Sequence, residues 1–539
     1  MARRFLAILL LALGVSVAAA QTFRVRYDAA AYSGPFTGSV AVYVSKTMKE
    51  PRLGPSWVDP EPVLVAHFAD VGPGRWMVLD ATTVIGGRKR IEAIQPGEYT
   101  VQAVVDRNLG GRTVGTCPGN IASKAVRVRI AAGTQTDLTC DRVLPEPAFE
   151  ETARVKLVRV RSKLLEAFHK RPVELKAVVG LPAGWSAERS WPVVYEVPGF
   201  GGSYRWYSGV GFLPETDRAG EPFVHVVLDP DCPTGHHVFA DSDNNGPYGR
   251  ALVEELIPEI ERRFRCGGSP AARFVTGHSS GGWSSLWLQI QHPEVFGGCW
   301  STAPDYVDFR SFCNTDIYRE GANLYRQGTV ETPLIRQGDR VLATVREFCM
   351  REYGLRGEQM GSFVAVFSPK GRDGQPQPLW NWETGEIDPK VAEAWRRYDI
   401  GHVLRSRWAE LGPKLRGKIF IACGTEDTFY LDRPLRLLAQ DLDTLGAKAT
   451  VLFVPGDHGS MLTPELRRRI DQEIADRYRA SRESKASTAQ SEGPSDASSI
   501  AMRSLNALTG RTAIGSPSPP MADPAARRSQ ALPVHASTR

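Results

Sequence analysis

The sequence lacks the features that mark nucleic-acid-binding, zinc-binding and membrane-spanning proteins. Its formal net charge is only +6 over 539 residues, and no basic stripe is interleaved with aromatic residues, so nucleic acid is not an expected partner. None of its 8 cysteines stands in a CxxC pair, so zinc is not indicated, and no cofactor is expected. Beyond the first twenty residues, no stretch is apolar enough to cross a bilayer.

The first twenty residues are typical of an export signal. Arg3 and Arg4 precede the short apolar run Phe5–Leu13, and Ala18–Ala20 then supplies the small residues that signal peptidase accepts. We therefore expect an exported protein, periplasmic or extracellular, whose mature chain begins at Gln21. An uncleaved N-terminal anchor is the alternative.

Export would permit disulfide bonds between the cysteines. Cys117 and Cys140 lie together in the N-terminal region and could form a bridge. Cys299 and Cys423 fall inside predicted buried strands, where a free cysteine behaves as a small apolar residue.

Residues from about 22 to 145 have the pattern of an all-β domain. Segments such as Phe23–Tyr27, Gly38–Val44 and Tyr99–Val105 alternate apolar and polar residues, and turns rich in glycine and proline separate them. No helical stripe is visible here. The spacing predicts a β-sandwich-like accessory domain, followed by a stiff linker at Pro145–Pro147.

The pattern changes at about residue 150, where short apolar runs begin to alternate with helical ones. This alternation predicts a largely parallel, doubly wound α/β sheet within residues 150–480. Eight strands are predicted, at Val155–Arg161, Val173–Leu181, Val193–Val197, Val224–Leu228, Arg273–Thr276, Gly298–Ser301, Ile419–Cys423 and Thr450–Val454.

Two segments lie outside this alternation. Roughly a hundred residues separate the strand ending near Thr302 from the strand starting at Ile419, too many for a simple connection. We expect a large lid inserted at about 305–415, with a tryptophan-rich stretch that includes Trp380. An insertion that only packs on the sheet is the alternative. Residues 481–539 are dominated by small and polar residues, which predicts a disordered tail.

Ser279 stands within Gly277-His278-Ser279-Ser280-Gly281, between a predicted strand and a predicted helix. This is the context of the GxSxG elbow, in which a strained turn exposes the serine hydroxyl and the glycines leave room for neighbouring backbone. The positive end of the following helix faces the place where an oxyanion develops. We predict that Ser279 is the nucleophile of an α/β-hydrolase.

A serine nucleophile needs a base and an acid that orients the base, and in this fold both follow the serine in the order acid, then histidine. Asp427 follows a predicted strand, and His458 follows the next one, in a glycine-rich loop. We predict Asp427 as the acid and His458 as the base. Glu426 and Asp432 are competing acids, whereas Asp457 is too close to His458 in the chain.

The oxyanion hole should combine the backbone N–H of Ser280 with one from an earlier strand–helix loop. The segment Pro198–Gly202 follows the predicted strand at 193–197. Phe200 is the first choice for the second N–H donor and Gly201 is the second choice. An ordinary glycine-rich turn would have the same residues.

Substrate contacts are expected near the carboxyl ends of the strands. We predict them at Gly201, at His237 and Asn245 in the loop that follows the strand at 224–228, and at Trp380 in the insertion. The same loop offers four potential metal ligands, His236, His237, Asp241 and Asp243. Adjacent histidines do not easily converge on one ion, so this alternative is not favoured.

These motifs resemble the esterase D-like family of putative esterases, α/β-hydrolases that include S-formylglutathione hydrolases, enterochelin esterases, feruloyl esterases and mycolyltransferases. The resemblance covers about Val155 to Tyr478. It is carried by Pro198-Gly199-Phe200-Gly201-Gly202, Gly277-His278-Ser279-Ser280-Gly281-Gly282, Gly424-Thr425-Glu426-Asp427 and Gly456-Asp457-His458-Gly459. It implies Ser279, Asp427 and His458 as the triad. The N-terminal β-region and the long insertion depart from the compact members.

The expected function is hydrolysis of carboxylic esters through a covalent acyl-enzyme, on a small-molecule or glycan ester that is carbohydrate-linked or siderophore-like. An acyltransferase or peptidase with the same triad is the second hypothesis. A catalytically silent surface-binding protein, with the β-domain as its working part, is the third.

Overall fold

A computed structural model describes residues 21–54, 61–87, 91–209 and 215–491, without the side chains of 485–491. The predicted signal peptide and residues 492–539 of the predicted tail lie outside the described residues. Residues 481–491 of the predicted tail belong to the last helix. The chain divides into two compact units, one ending at Tyr478 and one starting at Arg479.

The N-terminal region is all-β, as predicted. The strand Thr22–Tyr27 alternates partly buried and fully buried side chains, because one face packs on an apolar core. Strands are numbered in chain order. The first nine are β1 (Thr22–Tyr27), β2 (Phe36–Ser45), β3 (Val63–Val71), β4 (Met77–Leu79), β5 (Gly86–Gly87), β6 (Gly97–Asp106), β7 (Ile121–Ser123), β8 (Val126–Ile130) and β9 (Gln135–Val143).

All nine strands belong to one hydrogen-bonded network rather than to two separate sheets. The order is β4-β1-β9-β7-β6-β2-β3-β5, and β8 also pairs with β6. The long strand β6 makes this possible, because its first half pairs with β8 and its second half with β7. This pairing does not test the predicted sandwich-like arrangement of the layers, which stays a prediction.

All eight cysteines are buried and free, so Cys117 and Cys140 do not form a bridge. Each thiol has its own environment. The Cys117 thiol accepts a hydrogen bond from the Gly111 N–H at 3.2 Å, whereas the Cys140 thiol donates to the Ala103 carbonyl at 3.6 Å.

A second sheet of eight strands follows, and its members match the eight predicted strands to within a few residues. Several are buried on both faces, as expected for strands covered by helices. They are β10 (Val155–Arg161), β11 (Glu174–Gly180), β12 (Val193–Val197), β15 (Val224–Leu228), β20 (Arg273–His278), β21 (Cys299–Thr302), β26 (Ile419–Gly424) and β27 (Thr450–Val454). The remaining strands form short antiparallel pairs: β13 (Asp217–Arg218) with β14 (Glu221–Pro222), β16 (Asp231–Cys232) with β17 (Gly235–His236), β18 (Asp241–Ser242) with β19 (Gly246–Pro247), β22 (Arg326–Gln327) with β23 (Val330–Glu331), and β24 (Pro333–Gln337) with β25 (Arg340–Thr344).

The order of the second sheet is β10-β11-β15-β12-β20-β21-β26-β27. The pairs β10–β11 and β11–β15 are antiparallel, and all pairs from β15 to β27 are parallel. The chain places β15 on one side of β12 and β20 on the other. Ligands of open α/β sheets bind beside such a switch point, at the carboxyl ends of the strands.

Ten α-helices accompany the sheets in the described residues. Four of them, α5 to α8, lie with β22–β25 in the long segment between β21 and β26. No helix of the described chain is long and apolar enough for a membrane span. The helices are α1 (Lys163–His169), α2 (Tyr248–Ala251), α3 (Ile257–Phe264), α4 (Ser280–Gln291), α5 (Val345–Glu352), α6 (Gln359–Phe367), α7 (Pro389–Trp395), α8 (Ile400–Leu415), α9 (Asp432–Thr444) and α10 (Pro464–Ser491).

Candidate active site

Ser279 occupies a strained turn between β20 and α4. Its backbone has φ 60° and ψ −125°, a conformation that side-chain-bearing residues rarely adopt and that is concentrated at functional sites. The Ser279 N–H donates to the Thr302 carbonyl at 3.0 Å, which ties the turn to the end of the neighbouring strand β21. The geometry is that of the nucleophile elbow expected from the sequence.

The two glycines of the motif are required by close backbone contacts. A Cβ atom on Gly277 would lie 2.2 Å from the Gly281 carbonyl oxygen, and one on Gly281 would lie 1.9 Å from the Val197 carbonyl oxygen. Both distances are far shorter than a van der Waals contact. The elbow can therefore pack against β12 only when both positions lack a side chain.

Asp427 and His458 are joined as an acid–base pair. Asp427, in the turn after β26, is fully buried, and its Oδ2 accepts a hydrogen bond from His458 Nδ1 at 2.7 Å. Its Oδ1 accepts from the backbone N–H groups of Phe429 and Leu431 at 2.8 and 3.2 Å. The backbone bonds fix the position of the carboxylate. The bond to Nδ1 leaves His458 Nε2 pointing away from the carboxylate, as a general base requires.

Of the two competing acids, Glu426 is exposed, whereas Asp432, like Asp457, has other partners. Asp432 pairs with Arg336 at 2.9 Å and with Arg436 at 3.5 Å. Asp457 accepts hydrogen bonds from the Ser460 N–H at 2.8 Å and from the Ser460 hydroxyl at 2.7 Å, within its own loop. Asp427 is therefore the acid that contacts the imidazole.

Two opposing effects act on the pKa of His458. Burial lowers it, whereas the hydrogen bond and charge of Asp427, with the charge of Asp305, raise it, and the net pKa is above 6.5. The His278 ring lies 4.6 Å from the His458 ring, centroid to centroid. Burial, together with the charge of His458, lowers the pKa of His278 to about 3. His278 is therefore neutral at neutral pH and adds no charge to the site.

The segment Pro198–Gly202 passes directly beside Ser279. The Gly202 N–H donates to the Gly199 carbonyl at 2.9 Å, closing a tight turn around Phe200. A Cβ on Gly199 would lie 3.3 Å from the Ser279 Cβ. On the other side of Ser279, Ser280 begins α4, and the first N–H groups of a helix have no acceptor within it. The two segments that carry the predicted oxyanion donors, Phe200 and Ser280, therefore both adjoin Ser279.

The segment Pro198–Gly202 is called the oxyanion segment below, after its predicted role. His236 holds this segment in place, a contact that the sequence analysis missed. Its Nδ1 accepts from the Val238 N–H at 3.1 Å, so the proton lies on Nε2, which donates to the Pro198 carbonyl at 2.9 Å. Burial lowers the pKa of His236 to about 4, which keeps the ring neutral. The described residues contain no group of three or more potential metal ligands.

Asp305 is a second residue that the sequence analysis did not identify. Asp305 comes shortly after β21, the strand that pairs with β20 beside Ser279. This position at a strand end was the sequence signal that could have identified it. The Ser280 hydroxyl donates to its Oδ2 at 2.5 Å, and its N–H donates to the Ser279 carbonyl at 3.2 Å. Gln359 Nε2 donates to the Asp305 carboxylate at 3.3 Å. Burial raises the pKa of Asp305 to about 6.

Several of the residues described above line a cavity of about 430 Å³. The sheet contributes Ser279, His278 and His458 to its lining, and the segment between β21 and β26 contributes one wall. Most of the other lining residues are apolar or aromatic. They include Phe200, Trp206, Tyr207, Val227, Tyr306, Leu334, Phe348, Met360, Phe363, Phe429 and Leu431.

The four predicted substrate contacts are not among the residues that line this cavity. Trp380 is 1% exposed and packs on Trp382 inside the insertion. His237, also 1% exposed, stacks on Tyr248 with ring centroids 3.7 Å apart. Both rings therefore belong to the protein core, where packing against other rings removes their apolar surfaces from water, away from the cavity.

Asn245 and Gly201 are also corrected. The Asn245 carboxamide oxygen accepts a hydrogen bond from the Thr234 hydroxyl at 2.6 Å and closes the loop after β15. Gly201 has φ +80° and is exposed, so its role is to form the turn. Its neighbours Phe200 and Gly202 line the cavity instead.

Comparison with known proteins gave one family match. The family described as "Esterase: Putative esterase" matches residues 170–450, more than half of the chain. The search of curated proteins returned no match.

Solved structures with low similarity were also found. They include a ferulic acid esterase (14% identity, 62% of this chain and 99% of that chain, TM-score 0.36) and an S-formylglutathione hydrolase from Agrobacterium tumefaciens (16%, 61% and 98%, 0.36). A third is FphF, a fluorophosphonate-binding serine hydrolase from Staphylococcus aureus (12%, 60% and 98%, 0.34).

Proposed function

The chain belongs to the putative esterase family, and we propose that it is a serine esterase that cleaves carboxylic esters through an acyl-enzyme on Ser279. Family membership supports hydrolysis of carboxylic esters. The observation that carries the covalent mechanism is the strained Ser279 turn, which shares one cavity with His458, the hydrogen-bond partner of Asp427.

In the proposed reaction, His458 Nε2 takes the proton of the Ser279 hydroxyl as its oxygen attacks the ester carbonyl. The N–H groups of Phe200 and Ser280 stabilise the negative oxygen of the tetrahedral intermediate. The protonated His458 then gives its proton to the leaving alcohol, and the acyl group stays on Ser279. Water, deprotonated by His458, attacks this acyl-enzyme and releases the acid.

We further propose that the insertion is a lid that selects the substrate. Its residues Tyr306, Leu334, Phe348, Met360 and Phe363 line the cavity, so an apolar or aromatic part of the ester fits there. The candidate substrates are small-molecule or glycan esters. Export, which rests on the pattern of the first twenty residues, remains part of the proposal.

The direct test is hydrolysis of nitrophenyl esters by the purified full chain, with acetyl, feruloyl and longer acyl groups. We expect measurable turnover, a preference for apolar acyl groups, and loss of turnover in Ser279→Ala. Turnover that survives Ser279→Ala would refute the assignment of the nucleophile, and a folded wild-type protein with no turnover on any ester would refute the esterase.

A further inference from the structure

The oxyanion segment has a contact from outside its own domain. Arg112, in the β-domain between β6 and β7, places its guanidinium carbon 4.5 Å from the centroid of the Phe200 ring. Its Nη1 donates to the Gly357 carbonyl at 3.3 Å, and its Nε lies 3.4 Å from Asp231 Oδ1. One β-domain side chain therefore touches the oxyanion segment, the insertion and the loop after β15.

Phe200 is the residue whose orientation matters most in this segment. Its N–H is the proposed oxyanion donor, and its ring lines the cavity. Gly199 and Gly201 flank it, so the adjacent backbone has little intrinsic stiffness. Contacts on the Phe200 ring consequently contribute to fixing the direction of its N–H. A guanidinium over an aromatic face is a favourable contact of this kind.

A second arginine fastens the same β-domain loop. Arg356, between α5 and α6, donates through Nε and Nη2 to both carboxylate oxygens of Asp106 at 2.8 and 2.9 Å, and through Nη1 to the Gly111 carbonyl at 2.9 Å. It also donates to the Pro233 carbonyl. The carboxylate of Asp106 is 3% exposed, and a buried two-point pair of this kind is rigid.

The backbones of the two regions also touch. A Cβ on Gly357 would lie 2.4 Å from the Arg112 carbonyl oxygen, so the loop that carries Arg112 rests directly on the insertion. Two residues beyond Gly357, helix α6 begins with Gln359 and Met360, both of which line the cavity.

We propose that Arg112 of the β-domain is a positioning residue of the esterase, which orients the Phe200 segment for oxyanion stabilisation. This inference rests on the proposed function. The β-domain then serves catalysis directly, in addition to any accessory role. If Arg112 only joined the domains, its loss would lower stability and leave the turnover of the folded fraction unchanged.

The test compares Arg112→Ala with the wild type in the full chain, using the nitrophenyl ester of a short acyl group. We expect kcat to fall about tenfold or more while KM changes less than about threefold, because the lost orientation matters in the transition state. The rate of labelling by a fluorophosphonate should fall in parallel. Arg112→Lys keeps a cation near the ring and should restore part of kcat.

Arg107→Ala is the matched control. Arg107 lies in the same β-domain loop, but its guanidinium packs on the Tyr32 ring, 4.2 Å from the centroid, so kcat should stay at the wild-type value. If Arg112→Ala does not fold, Arg112→Gln provides the same comparison. An unchanged kcat in a folded Arg112 variant overturns the inference. A wild-type protein without turnover or labelling overturns the proposed function instead.

Discussion

The Asp427 carboxylate holds His458 through a single bond of 2.7 Å between Oδ2 and Nδ1, while backbone N–H groups occupy its other oxygen. The turn after β26 therefore fixes the Asp427 carboxylate, and the carboxylate in turn fixes the imidazole of His458. Since Asp427 is fully buried, its negative charge acts on the imidazole with little screening by water.

Replacing Asp427 by Asn should therefore lower kcat by about four orders of magnitude, since an amide NH₂ favours the wrong tautomer of the imidazole. Steady-state hydrolysis of a nitrophenyl ester measures this effect. Asp432→Asn, next to the same turn, removes a carboxylate that pairs with arginines and should lower kcat far less. Equal losses in the two variants would argue against Asp427 as the orienting acid.

The pH profile should have an acid limb set by His458. The imidazole accepts a proton only when neutral, and its pKa lies above 6.5, so kcat/KM should rise with pH and level off above that pKa. Below it, the rate should fall about tenfold per pH unit. Rates that stay constant down to pH values well below 6.5 would contradict this assignment.

Asp305 should shift that acid limb. Its negative charge helps to raise the pKa of His458, so Asp305→Asn should lower this pKa and move the limb to lower pH. The substitution keeps an oxygen that can accept from the Ser280 hydroxyl. Glu410→Gln, at an exposed carboxylate paired with Arg407 on α8, is the control for net charge. A limb that moves to higher pH in Asp305→Asn would contradict the electrostatic account.

Gly281 should not tolerate alanine. The added methyl group would overlap the Val197 carbonyl, so Gly281→Ala should fold poorly or show a large decrease in Tm. Gly361→Ala in α6 is the control, because a Cβ there meets no atom within 4 Å. The higher helix propensity of alanine should stabilise that variant by about 1 kcal/mol or leave it unchanged. Similar Tm values for both variants would contradict the crowding at the elbow.

Several positions show what the sequence could and could not reveal. The positions of Ser279, Asp427 and His458 were predictable because each follows a strand whose apolar pattern is clear, and parallel strands bring their carboxyl ends together. Asp305 was missed because it stands in no motif, although it too follows a strand. Trp380 was misplaced because composition alone does not distinguish an aromatic residue that lines a cavity from one that forms the core of an insertion.

The wall contributed by the insertion should determine the preferred acyl length. Met360 lines the cavity and is almost fully buried, so Met360→Ala should enlarge the cavity and shift the preference toward longer acyl chains. Met77→Ala removes an equally buried methionine from the β-domain core. Both variants should lose about 2–5 kcal/mol of stability, but only Met360→Ala should change the ratio of kcat/KM values for long and short esters.

The central claim is that Ser279 is an activated nucleophile, and labelling by a fluorophosphonate followed by peptide mass spectrometry tests it most directly. The account predicts one adduct, on Ser279, formed rapidly by the folded wild type and lost in Ser279→Ala. It also predicts much slower labelling in Asp427→Asn. A folded protein that leaves Ser279 unlabelled, or that carries the adduct on another serine, would contradict it.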